Sequence, residues 1–151
     1  MLTLESFKLL NPKVSRFQMG SGGTPDVTFQ EVADVLAQMS QPAAAWARLS
    51  YAGERRWAAS VLSFLQGELL REKDEESLSC YWMRVTRLTV ICALTETPLT
   101  NRRKAKVAGV RWWTKNNERD LHKCLFLLDG LDYEVRSHLK AWNDQRSVGD
   151  F

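Results

Sequence analysis

Apolar side chains recur along most of this chain at steps of three and four residues, the period of an amphipathic helix. The first clear instance starts at Thr28. Val32, Val35, Leu36 and Met39 fall on one face, and Thr28 with Glu31 three residues on makes the capping box that opens a helix. Pro42 closes that helix and suits the first turn of the next. The next, "PAAAWARLSYAG", is Ala-rich and ends at Gly53, a residue suited to a helix C-terminus. "ERRWAASVLSFLQGELLREK" predicts a third helix with Trp57, Val61, Phe64 and Leu65 on a shared face. Gly67 weakens it by about 1 kcal/mol relative to Ala.

A charge-dense break, "EKDEES" at 72–77, precedes a fourth segment, "SLSCYWMRVTRLTVICALTE", with Tyr81, Val85, Leu88 and Cys92 at helical spacing. Its β-branched end reads as helix, since no partner strand is visible and the period is not two. A short helix follows from Leu99 to Val107, then a turn at Gly109. Thr114 or Asn116 caps the next helix, whose apolar face is Leu121, Cys124, Leu125 and Leu128, and Gly130 is expected to stop it. "LDYEVRSHLKAWNDQR" predicts a last helix with Leu131, Val135, Leu139 and Trp142 on one side, and "SVGDF" is a tail. The reading is all-α: a compact domain of about six helices over 28–151, with no sheet and no internal repeat. Residues 1–27, with Pro12 and "GSGGTP" at 20–25, read as a flexible arm, though Leu9, Leu10 and Phe17 are apolar enough to pack.

Length and composition are ordinary. At 151 residues with 44% apolar and 26% charged content, the chain can bury a core without staples. No run approaches the roughly 20 apolar residues of a membrane span. The start lacks a basic flank leading into a long apolar stretch, so a cytoplasmic protein is expected. Cys80, Cys92 and Cys124 are scattered and odd in number, which disfavours a disulfide framework and suggests small apolar core residues on helices. No metal is expected, because only His122 and Cys124 lie close together. No phosphate loop, nucleophile elbow or zinc-protease motif is present, so neither an enzyme nor a cofactor is expected.

Charge is unevenly placed along the chain. The net charge is only +3, but residues 97–117 carry six basic side chains and no acidic one. The rest of the chain has fifteen basic and eighteen acidic residues, so the whole positive excess lies in that stretch. A local patch in an otherwise slightly acidic chain is the pattern of a focused nucleic-acid contact. A basic, solvated helix hairpin is the plainer alternative.

The same stretch has helix-turn-helix spacing over about 99–128. Ala105 stands four residues before Gly109 and Val110 follows it, which suits close approach of two helices at a tight turn. The second helix would then enter the major groove by its first turns. Arg111, Lys115, Asn116, Asn117 and Arg119 sit at that end, and Arg reads guanine as Asn reads adenine. Arg102, Arg103, Lys104 and Lys106 suit phosphates. One position departs from the pattern: Lys115 stands where an apolar residue is expected, so Trp112 or Trp113 has to close the motif's core.

The segment "RRKAKVAGVRWWTKNNERDLHKCLFLLDG", with "SCYWMRVTRLTVICAL" before it, resembles the late-gene antitermination proteins Q of lambdoid phages, the phage 21 type in particular. It is also similar to the DNA-binding region 4 of sigma factors. The resemblance spans roughly Ser77 to Arg146 and is one of pattern. It implies a bacteriophage protein in the bacterial host cell that binds a double-stranded DNA element, in one or two copies. It then loads onto promoter-proximally paused RNA polymerase with its sigma factor and suppresses termination. It further implies Arg102 to Lys106 and Arg111 to Arg119 as the DNA contacts. The zinc-binding cysteine motif of the lambda type is missing here. Two alternatives follow from the same surface: a protein-interaction module, such as a phage inhibitor of a host protein, and a conventional helix-turn-helix repressor.

Overall fold

The computed structural model of the chain describes residues 1–11 and 28–149, the side chains of the last two excepted. Every regular element among them is helical. Six α-helices follow in order: α1 (Phe29–Gln38), α2 (Gln41–Ser50), α3 (Ala58–Lys73), α4 (Cys80–Leu94), α5 (Asn101–Ala108) and α6 (Lys115–Gly149). Two 3₁₀ segments, Leu4–Leu10 and Arg55–Trp57, complete the set. The chain divides into two compact units, Met1–Trp57 with Leu131–Phe151, and Ala58–Gly130.

Local chemistry explains most helix ends. Thr28 and Glu31 form the reciprocal capping box of α1. Ser40, Ser79 and Thr100 each accept a backbone N–H in the first turn of α2, α4 and α5. The β-branched end of α4 is helical, and its two buried threonines are satisfied by donating back along the helix, Thr86 to Met83 O at 2.7 Å and Thr89 to Val85 O at 2.7 Å.

In the first unit, Val32 and Val35 of α1 and Ala43 and Ala47 of α2 are fully buried. An Asp132-centred network ties α2 to α6. Asp132 accepts from Trp46 Nε1 at 3.1 Å, from the Tyr51 hydroxyl, and from Arg136 Nε at 2.8 Å. Burial, with the Asp132 hydrogen bond, pushes the Tyr51 phenol up to about 12.

The beginning of the chain differs from the flexible arm expected over 1–27. Phe7 is 1% exposed and Leu2 and Leu10 are buried. Leu2 exchanges two hydrogen bonds with the Asn143 side chain, at 2.9 and 2.8 Å. The buried Leu2, Phe7 and Leu10 hold this turn in place. The Gly-rich part of that arm, with Pro12 and Phe17, lies outside the described residues.

A second difference is at Gly130. It does not stop a helix: α6 runs unbroken through it. A glycine ends a helix by turning left-handed, and among the described glycines only Gly53 and Gly109 do so. The buried series Leu121, Cys124, Leu128, Leu131, Val135, Leu139 keeps steps of three and four across Gly130. Continued burial of that stripe exceeds the roughly 1 kcal/mol that a helical glycine costs.

The second unit is built on a core of Leu69 from α3, Val85 and Leu88 from α4, Ala108 from α5, and Leu121 and Cys124 from α6. Cys124 is fully buried there, and burial pushes its thiol up to about 11. Cys92 is half-buried against the same core and Cys80 is exposed, so Cys80 alone departs from the core role the sequence suggests.

Candidate nucleic-acid interface

The surface is carried by α5, the connection after it and the first turns of α6. α5 is eight residues long and ends at Gly109, which adopts φ 72° and ψ 28°. Its N–H donates to Ala105 O and Lys106 O, and the Val110 N–H donates to Ala105 O at 3.0 Å. These bonds satisfy carbonyls that the helix end would leave open. Ala105 and Ala108 are buried on the inner side of α5. The connection runs from Gly109 to Thr114, longer than the 3–4 residues or so of a tight helix-turn-helix.

Thr114 and Asn117 open α6 reciprocally. The Thr114 N–H and hydroxyl donate to Asn117 Oδ1 at 2.9 and 2.8 Å, and the Asn117 N–H donates to Thr114 Oγ1 at 3.4 Å. The other end of the Asn117 amide, Nδ2, donates to the Tyr81 hydroxyl at 2.9 Å, which itself donates to Asp120 at 2.7 Å. Asn117 is therefore held by structural partners on both ends of its amide.

The two tryptophans diverge. Trp113 is half-buried against the second unit's core, and its indole N–H donates to Glu118. It fills the place that Lys115, the exposed first residue of α6, cannot. Trp112 is 71% exposed and packs on no core, with the Arg111 guanidinium 5.7 Å from its ring centroid.

Of the nine expected contact residues, seven stand on the surface: Arg102, Arg103, Lys106, Arg111, Lys115, Asn116 and Arg119. Lys104 is different. Its side chain is mostly buried and its ammonium lies 3.2 Å from both oxygens of Glu118. Burial of that carboxylate works against its charge. The hydrogen bonds from Trp113 and Lys104, with the nearby charges of Lys104 and His122, nevertheless hold its pKa below the ordinary value. The one acidic side chain among these residues is thereby neutralised locally.

One further basic residue lies outside the stretch that the charge placement marks. Arg84 of α4 lies against the connection: a Cβ on Gly109 would stand 2.0 Å from its Nη1. In the sequence it belongs to "MRVTR", which reads as the polar face of an amphipathic helix, and no local spacing links it to a glycine 25 residues on.

α5 and the connection also form an open cleft of about 620 Å³. Ala105, Val110 and Trp113 give it an apolar lining, and Arg102, Lys106 and Arg111 are its charged members. No acidic residue lines it. Among the described residues no group of three or more His, Cys, Asp or Glu side chains could hold a metal ion. No described helix is long and apolar enough to cross a membrane. No family model, curated protein or solved structure matches the chain.

Proposed function

We propose that this protein is a sequence-specific DNA-binding regulator of transcription, acting through the exposed cations of α5, of the connection after it and of the first turns of α6. One observation carries the reading. Six exposed cations stand together, Arg102, Arg103 and Lys106 on α5, Arg111 in the connection that begins at a left-handed glycine, and Lys115 and Arg119 on α6, and the acid among them is ion-paired. Exposed cations at helix ends neutralise phosphates and release counterions. Asn116 and Arg119 are the base-reading candidates, whereas Asn117 and Lys104 serve the fold. Within this class the pattern resemblance favours antitermination: loading onto paused RNA polymerase and suppression of termination.

Selection of duplexes from a random pool tests DNA recognition. Enrichment of one element, with affinity falling steeply in salt, supports it; salt-sensitive binding with no preferred element refutes sequence specificity. Transcription past a terminator on a template carrying that element tests the narrower reading. Increased read-through supports antitermination, and reduced initiation with unchanged read-through makes the protein a repressor.

A protein-interaction module is favoured by a separate feature. The exposed side of α4 combines Met83, Ile91 and Leu94 with Arg84 and Arg87, and α4 has no acidic residue. Such a face suits an acidic amphipathic partner. A stoichiometric partner kept after nuclease treatment, and lost on Met83→Asp, would favour that module.

A further inference from the structure

We propose that the cleft beside α5 takes an unpaired nucleotide of the bound DNA, its base stacked on Trp112 and its flanking phosphates on Arg102, Lys106 and Arg111. This rests on the DNA-binding reading and goes beyond it, since duplex contact needs no aromatic platform. Trp112 keeps 71% of its surface in water and, unlike the equally exposed Phe126 and Tyr133, lines a cleft with three cations. It packs against no core, so folding does not explain it.

Its surroundings select the ligand. The cleft is concave, about 620 Å³, and lined within by Ala105, Val110 and the half-buried Trp113. Arg102 and Lys106 stand one helical turn apart on the same face of α5, and Arg111 reaches the Trp112 ring. An apolar wall, an open aromatic face and three cations without an acid match a planar base joined to phosphates. Purely apolar ligands would leave the cations unused, and a base kept within a duplex stack would leave the indole face unused. Base–aromatic stacking beside a cationic groove is the way single strands are held without sequence preference. A site of this kind next to a duplex-binding helix pair would hold a locally opened strand.

The test is fluorescence anisotropy on the full chain with labelled oligo(dT) and a labelled mixed-sequence duplex, for the wild type, Trp112→Ala and Trp112→Phe. Trp112 is too exposed for either substitution to unfold the chain. Wild type is expected to bind both ligands. Trp112→Ala should weaken oligo(dT) on the order of tenfold or more and change duplex affinity less than about twofold, and Trp112→Phe should keep most of the oligo(dT) affinity. Duplex binding without oligo(dT) binding overturns the cleft assignment and leaves the DNA reading standing. Oligo(dT) binding without duplex binding supports the cleft and overturns the duplex reading; binding of neither removes both. Equal loss of both ligands in Trp112→Ala overturns the cleft. So does tenfold tighter binding of oligo(U), or displacement of oligo(dT) by polyglutamate at matched charge.

Discussion

Replacing Glu118 by Gln is expected to do two opposite things at once. The carboxylate receives Lys104 at 3.2 Å on both oxygens and the Trp113 indole N–H. Gln keeps one acceptor oxygen but no charge. A hydrogen bond to a charged group contributes about 1.5–3 kcal/mol against about 0.5–1.5 for a neutral one. The difference is about 1 kcal/mol for each of the two donors, Lys104 and Trp113, reduced because Glu118 is 36% exposed. The His122 contact at 3.3 Å adds little, since that ring is 68% exposed. A loss of about 1–2 kcal/mol corresponds to a Tm lower by roughly 3–8 °C in a chain of this size. The effect should depend on pH. The Glu118 pKa is depressed in the folded state, so its contribution is complete above the ordinary carboxylate value near 4.5 and is lost as the pH falls through the folded value. Wild type and variant should therefore converge in strong acid. Duplex binding should move the other way. Lys104 loses its counter-charge, so affinity should rise and the salt dependence steepen by up to about one counterion. Thermal melts at pH 7 and in acid, with binding titrations at several salt concentrations, measure both. An unchanged Tm together with an unchanged salt slope at pH 7 would refute the account of this ion pair.

Three glycines should separate by sign in thermal melts. Gly109→Ala meets a positive φ and the Arg84 side chain, and should lose about 1–2 kcal/mol. Gly67→Ala and Gly130→Ala put a Cβ into open space inside a helix and should each gain up to about 1 kcal/mol. A loss at Gly130 would contradict the unbroken α6. Asp132→Ala leaves the Trp46 and Tyr51 donors unpaired, a loss of about 2–4 kcal/mol by denaturant melts. Tyr51 is protonated more tightly in the folded state, so its contribution is full below pH 10 and fades as the pH rises through about 12. Ultraviolet titration of Asp132→Asn should lower that value but keep it above the ordinary one, because burial remains. The double variant Lys104→Ala/Glu118→Ala removes opposite charges and should leave duplex affinity within about twofold, whereas Arg103→Ala should weaken all duplexes and reduce the salt slope by about one.

Features encoded within a few residues are legible before any folding. The Thr28–Glu31 box and the turn at Gly109 each act over three or four positions, so spacing alone reveals them. The placement of positive charge is equally legible, because a count along the chain needs no coordinates. Tertiary structure decided which of those residues remain available. Lys104 looks like its neighbours Arg103 and Lys106 until a glutamate 14 residues away reaches it. Asn117 looks like Asn116 until a tyrosine 36 residues back accepts its amide. Trp112 and Trp113 are adjacent, yet only Trp113 faces the core. The helix through Gly130 belongs to the same class: a local stop signal of about 1 kcal/mol yields to an apolar stripe buried on both sides of it. A side chain's partner among chemically equal candidates is fixed by long-range packing. That packing, and no local rule, assigned the basic stretch its structural members and its exposed ones.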